Sequence, residues 1–405
     1  MLTRLLTILS TLVLALSVHA LSTTLQGEPS VRLESLDGSR VSVPLLGMEV
    51  KTMGASPARM DFFAVKSNRA VPAPRPGSFE LTLHNGDHVL GEIALGSEES
   101  LALQLSGGAS AEFAIEEIAS LFSVGHVQDQ SVLPAPESGD RLWRITPGGF
   151  DPLDGFLLGF DASGVSMEGD LGERLTPWTE VACLWIEALE GASFAPRTAD
   201  VEGRSPVAVD LVDGSRLRGY FGGIGEGLLR LERTGRAGLK LALSTITHVA
   251  VDDDRQSFLS DRKWTEAGSL SLFGDGFGMR WPALGDKAVS GGRLRAGGRE
   301  WARGLGVHAP SQLQFGELSG GVLRGAVAVD DSVLGVPAKG SVTFQVILDG
   351  KIVWSSPELT SGEAPLALPA IKIGDAKTLE LKVDVASDSF MGDRADWLEM
   401  RIVKP

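Results

Sequence analysis

Among 405 residues there is one cysteine, one tyrosine and only six histidines. A lone Cys183 cannot close an internal disulfide, so the fold must rest on its core and not on covalent staples. It sits in the apolar run Val181-Ala182-Cys183-Leu184-Trp185-Ile186, which suits a buried small hydrophobe better than a nucleophile. Positive charge is also short: 37 Lys and Arg face 52 Asp and Glu, leaving a net charge of -15. Binding to nucleic-acid phosphates needs clustered cations, and the chain is not expected to provide them. The same deficit argues against docking on anionic lipid. After the first twenty residues no apolar run approaches the length of a membrane span. The motifs G-x-S-x-G and H-E-x-x-H and any cysteine pair are missing. The expectation is therefore a protein that is not an enzyme; if catalytic, a glycoside hydrolase working through two carboxylates.

What is present points to export and to β-structure. Arg4, the apolar stretch Leu5 to Leu16 and Val18-His19-Ala20 make up the three parts of a secretory signal, expected over residues 1–20. The expected location is secreted, or periplasmic and cell-envelope, with no membrane span after cleavage. Hydrophobic content of 43% with 22% charged residues is ordinary for folded protein. Fifty glycines punctuate short alternating runs, while helix signals are sparse, so the expected fold class is all-β.

Residues 21–70 begin that pattern, with Val31 to Val43 hinged on Asp37-Gly38 as a partial repeat. Residues 71–78 are a Pro-rich linker. A repeat follows at 79–126, and its segment Phe79 to Gly91 aligns without a gap on Val207 to Gly219 of another repeat at 205–254. Each turns on Asn85-Gly86 or Asp213-Gly214 and closes on Ile118 or Ile246. A diverged copy spans 140–190, with Asp154-Gly155 expected in its turn. Units of this size suit small, bent barrels of SH3-like or Sm-like kind, expected to pack together or act as a spacer. Their chemistry is thin: His84 and His88 flank a turn, and Asp252-Asp253-Asp254 reads either as a cation ligand set or as a charged linker.

From about residue 262 the composition shifts, and Trp264, Trp281 and Trp301 fall within a short span. About seven strand-like runs without helices imply a β-sandwich of jelly-roll type over 262–405. Arg303-Gly304-Leu305-Gly306-Val307-His308-Ala309-Pro310-Ser311, Ala328-Val329-Asp330-Asp331, Leu348-Asp349-Gly350-Lys351 and Ala395-Asp396-Trp397 occur in order. Together they resemble NPCBM, a family named for carbohydrate binding. The resemblance implies a galactose-binding-like β-sandwich and a carbohydrate partner, a galactose-type sugar or a polysaccharide. Family members often carry His where Arg394 stands and Tyr where Trp301 stands.

A sugar site needs an aromatic surface for the C–H face and planar donors and acceptors for the hydroxyls. The candidate ligand-binding residues are His308, Arg303, Arg394, Asp396 and Trp397. His308 is expected after a Gly-x-Gly turn and Asp396 before a strand, both at a sandwich rim, while Trp397 is open to a core role. Asp330 and Asp331 are either Ca2+ ligands or turn caps, and no other cofactor is required. Other envelope proteins are the alternative partners, bound through the repeats in a structural or adhesive role.

Overall fold

Alternating segments bounded by Asn-Gly and Asp-Gly turns form antiparallel strands in this chain. The computed structural model describes residues 30–62, 77–105, 108–127, 132–170, 172–188, 200, 202–266, 281–318, 320–335, 340–387 and 391–404. The expected signal segment and residues 71–76 of the expected linker lie outside them.

The N-terminal segment provides β1 (Ser30–Glu34), β2 (Arg40–Pro44) and β3 (Arg59–Phe62). The first repeat is β4 (Ser78–Leu83), β5 (His88–Gly96), β6 (Ser100–Leu105), β7 (Ser110–Ala114) and β8 (Ile118–Ser123). The diverged repeat is β9 (Asp140–Thr146), β10 (Gly149–Phe160), β11 (Gly164–Gly169), β12 (Gly172–Pro177) and β13 (Val181–Trp185). The last repeat is β14 (Pro206–Leu211), β15 (Arg216–Gly225), β16 (Leu228–Arg233), β17 (Arg236–Ala242) and β18 (Ile246–Val251). In the first repeat the order is β7-β6-β5-β4-β8. The final strand returns beside the first after a 3-10 turn at Ile115–Glu117. The sheet is curled, and no pairing joins β7 to β8, so it is barrel-like without being a closed barrel.

The expected Asp154-Gly155 turn is corrected: both residues lie within β10, where Asp154 pairs with Arg141. Pro147 and Gly148 make the turn instead. Gly155 is needed for another reason, because a Cβ there would stand 2.1 Å from the Glu168 carbonyl oxygen of the crossing strand.

Strand registers reveal an order beyond the aligned repeats. In the first and last repeats β8 and β18 occupy equivalent places. β13 lies against β8 with Cys183 opposite Phe122 and Trp185 opposite Ser120. β3 lies against β18 with Arg59 opposite Ala250 and Asp61 opposite His248. Ala250 and His248 are the aligned counterparts of Phe122 and Ser120, so β3 takes the place of β13. β1 beside β3 likewise takes the place of β9 beside β13. The two halves meet at their turns. Leu90 N–H donates to Ser215 Oγ at 2.9 Å and Arg218 N–H donates to Asp87 Oδ2 at 2.7 Å. Leu90 aligns with Arg218 and Asp87 with Ser215, so the bonds are reciprocal, as in a two-fold interface. One core joins all four units, with Leu81, Leu121, Val209, Leu229 and Val249 fully buried in it.

The C-terminal module begins with β19 (Gln256–Phe258), which pairs with the last strand and so lies upstream of the expected start at 262. There follow β20 (Thr265–Glu266), β21 (Leu284–Gly285), β22 (Leu294–Ala296), β23 (Arg299–Trp301), β24 (Gly304–His308) and β25 (Ser311–Phe315). Then come β26 (Val322–Val329), β27 (Ser341–Leu348), β28 (Lys351–Ser355), β29 (Leu359–Thr360), β30 (Leu366–Ala367), β31 (Ile371–Lys372), β32 (Leu379–Val385) and β33 (Arg394–Val403). One sheet runs β21-β24-β33-β26-β30 and the other β20-β25-β32-β27-β28, all antiparallel. Their inner faces meet around Trp397, whose ring packs edge-on against Phe344 at 5.0 Å. The module is a β-sandwich, and its core of Leu305, Val327, Phe344, Leu381 and Trp397 is separate from that of the repeats.

Candidate functional site

The site starts from the register of β24 against β33, which sets His308 opposite Arg394 at one end of the sandwich. Above them lies Trp281, at 39% exposure a large aromatic left open to solvent. Its ring stacks on the His308 imidazole with centroids 5.7 Å apart and planes 16° from parallel. The Arg394 guanidinium carbon stands 6.0 Å from the same ring, and its Nη1 donates to Ser332 Oγ at 3.1 Å. His308 Nδ1 lies 2.8 Å from the Ala309 carbonyl oxygen. That acceptor fixes the proton on Nδ1 and leaves Nε2 as an acceptor. Burial and the neighbouring Arg394 charge lower the His308 pKa, against the opposing pull of its backbone bond. A neutral imidazole, a guanidinium and an indole thus converge at the rim, the groups a sugar ring requires.

Of the expected site residues, His308 and Arg394 come together there and the other three do not. Trp397 is fully buried between the sheets. Asp396, expected ahead of a strand, lies within β33, with its side chain shut inside. Burial first, then the nearby Asp330 and Asp331, hold its carboxyl well above the usual carboxylate range. Arg303 is 1% exposed. Its guanidinium binds Asp261 at 2.7 Å and approaches Asp210 at 3.5 Å. These three are therefore corrected to fold residues. Trp397 faces the space between the sheets, Asp396 beside it in β33 is buried on the opposite face of that strand, and Arg303 is buried in the bend ahead of β24, so all three are held in the fold away from the rim. The missed residue is Trp281. It stands beside Pro282 outside any strand, and an unpatterned tryptophan of that kind was the one available signal.

Asp330 accepts from the backbone N–H groups of Ser332 at 2.9 Å and Arg295 at 3.0 Å. Asp331 accepts from Gly298 N–H at 2.8 Å. Both act as turn caps here. Among the described residues, the one group of three with ligand atoms within 4.8 Å of one another is Asp61, His248 and Glu399. Arg59 already binds both of its carboxylates. Asp252 and Asp253 are likewise engaged, by Arg218 at 2.8 Å and Arg255 at 2.6 Å. Cys183 is fully buried, and burial raises its thiol pKa.

Buried ion pairs fasten the sandwich to the repeats. Arg216 binds Asp210 at 2.7 Å and Asp286 of the sandwich at 2.8 Å, while Arg303 reaches back to Asp210. Arg59 of the N-terminal segment pairs with Glu399, and Arg401 pairs with Glu34. Glu399 sits at φ 51°, at a register shift between β33 and β26. The left-handed bulge belongs to a residue that pairs outside its own sheet.

An all-β chain ending in a β-sandwich with an aromatic and cationic rim defines the class. More particularly, residues 255–403 match the family model of the NPCBM/NEW2 domain. An α-1,3-galactosidase B from Akkermansia muciniphila is 33% identical over 121 residues, covering 28% of this chain and 14% of that enzyme. Among solved structures, the CBM51 module from Clostridium perfringens GH95 in complex with methyl-galactose covers 36% of this chain and 99% of its own, at 19% identity and TM-score 0.32. The CBM51-2 and INT domains of Clostridium perfringens ZmpB cover 51% of this chain and 39% of theirs, at 20% identity and TM-score 0.33. The chain spans about a seventh of the Akkermansia enzyme it matches.

Proposed function

We propose that this chain is an exported, non-catalytic carbohydrate-binding protein, whose sandwich holds a galactose-type sugar or a polysaccharide at the Trp281, His308 and Arg394 rim. The observation that carries the reading is the exposed Trp281, braced from behind by His308 and flanked by Arg394. The NPCBM match supports the ligand class, and the galactosidase relative suggests galactosides as the first sugars to test. The repeats serve as the rigid base on which the sandwich is mounted.

The test is a glycan array on the full chain, because the buried ion pairs make an isolated sandwich an unsuitable sample. Binding concentrated on galactosides, and lost in Trp281→Ala with an unchanged melting temperature, supports the reading. An array blank at millimolar sugar removes it.

A second reading, an envelope scaffold, is favoured by one observation. Phe156, Leu158 and Leu175 are 68%, 38% and 49% exposed on the diverged repeat. Strand pairing sets Ser166 between Leu175 on one side and Gly159 on the other, with Leu158 in the bulge next to Gly159 and Phe156 paired with Glu168. Oligomers that dissociate in Phe156→Ser would favour that reading.

A further inference from the structure

The diverged repeat carries a face that its two relatives lack. Phe156 pairs with Glu168, Glu168 stands two residues from Ser166, and Ser166 pairs with Leu175. Paired and alternate residues share one face of a sheet, so Phe156, Glu168, Ser166 and Leu175 look the same way. The opposite face of β11 is the inner one, since Val165 and Met167 are fully buried in the common core. Phe156 and Leu175 are therefore turned outward, and Leu158 is exposed in the bulge beside them.

The registers of the three repeats match, each with a bulge at the same place in its second strand. Phe156 stands where the first repeat has Glu92 and the last has Tyr220, and Leu175 stands where they have Glu112 and Lys240. Inward the order is reversed. Arg174 is exposed in the place of Ala111 and Leu239, which are buried. β12 thus carries its polar residue on the core side and its apolar one on the solvent side, a pattern that fits a strand covered from outside.

The chain shows how such an edge is covered. β7 and β17, the counterparts of β12, lie beside one another. Arg233, at the end of β16, donates to the Glu112 carbonyl oxygen at 2.6 Å and sets its guanidinium carbon 4.7 Å from the Phe113 ring centre. The first and last repeats so cover each other, and the diverged one is left over. The N-terminal segment matches β9 and β13, and among the described residues it offers no strand in the place of β12. β12 pairs with β11 alone among those residues, and five of its six residues are exposed.

We propose that this face is where a second copy of the chain docks, across a two-fold axis lying along the Ser166–Leu175 row. The axis sets Leu175 against its own equivalent, and the acidic row of Glu168 and Glu173 over the uncharged row of Gly164 and Pro177. Like charges are not opposed in that arrangement, although each chain carries -15. The contact is isologous, as is the reciprocal contact of the first and last repeats. The proposal rests on the patch behind the scaffold reading and names its occupant.

The experiment is sedimentation equilibrium of the full chain from about 1 to about 100 μM, at low and at high salt. A reversible dimer is expected. Salt should tighten it, because salt screens the repulsion of two negative chains and leaves the apolar contact in place. Leu175→Glu and Phe156→Ser should each weaken it at least tenfold with the melting temperature unchanged, since both side chains are exposed. A thiol supplies the direct reading. Cys183 is fully buried, so oxidation should link Leu175→Cys chains into covalent dimers and leave an Ile352→Cys control, exposed on the sandwich, unlinked. A chain that stays monomeric throughout overturns the proposal, as does a dimer that survives both substitutions or fails to link in Leu175→Cys. An oligomer larger than a dimer that is lost in Phe156→Ser keeps the scaffold reading and overturns the two-fold. The sugar rim is read separately, by galactoside titration of Trp281→Ala.

Discussion

The two halves of the repeat region share one strand plan and solve the same problem with opposite chemistry. In the first half, the face carrying Phe122, Cys183, Trp143 and Trp185 is closed by the chain's own connection. Val127 and Leu133 pack on it, and both indoles donate to its carbonyls, Trp185 to Leu133 at 2.8 Å and Trp143 to Pro134 at 3.2 Å. In the second half, the matched positions hold Ala250, Arg59, Glu34 and Asp61, and the sandwich closes them through Glu399 and Arg401. Apolar closure tolerates many packings, whereas ion pairs demand one geometry and lose heavily when a partner is missing. The charged half therefore specifies how the sandwich is mounted.

The contrast is broken most strongly by removing one member of the charged set. Arg59→Ala should cost roughly 3–5 kcal/mol in denaturant unfolding of the full chain, because Asp61 and Glu399 are left buried without their cation. Next comes acid. In the charged half His248 is buried, and burial lowers its pKa to about 4 from the ordinary 6.5. The unfolded chain then binds the extra proton first, so stability falls as pH drops from about 6.5 to about 4. The loss is on the order of 3 kcal/mol, and His248→Phe should flatten that part of the curve. On the aromatic half, Trp185→Phe should cost only about 1–2 kcal/mol, a lost indole hydrogen bond and a small void. Inside the sandwich burial raises the Asp396 pKa, so the unfolded chain gives up that proton first and stability falls as pH rises above the ordinary carboxylate range. Asp396→Asn, which cannot ionise, should gain in melting temperature on the native chain as pH rises.

Much of this was legible in the residues. Turn chemistry at Asn85-Gly86, Asp213-Gly214 and Asp349-Gly350, together with strand alternation, marks the all-β plan and the sandwich. The equivalence of the N-terminal segment with part of the diverged repeat was only partly visible. Arg59 and Cys183 share a position but no chemistry, and register shows the match where side chains cannot. At the site, His308 and Arg394 were legible because they sit in unusual clusters. Arg303, Asp396 and Trp397 come from the same clusters but are buried, Trp397 in the sandwich core, Asp396 on the opposite face of β33 and Arg303 in the bend ahead of β24 beside Asp261. Residue type within a cluster does not tell these placements apart. Trp281 carries no motif, and only the folded rim brings it onto His308.

The most direct test of the account is a titration of the full chain with methyl-galactoside and longer galactosides, followed by tryptophan fluorescence and calorimetry, comparing the native chain with Trp281→Ala and Arg394→Ala. The account predicts saturable binding by the native chain and its loss, at least tenfold, in both variants with melting temperatures unchanged. Galactoside binding that survives both substitutions, or no binding by the native chain, would contradict it.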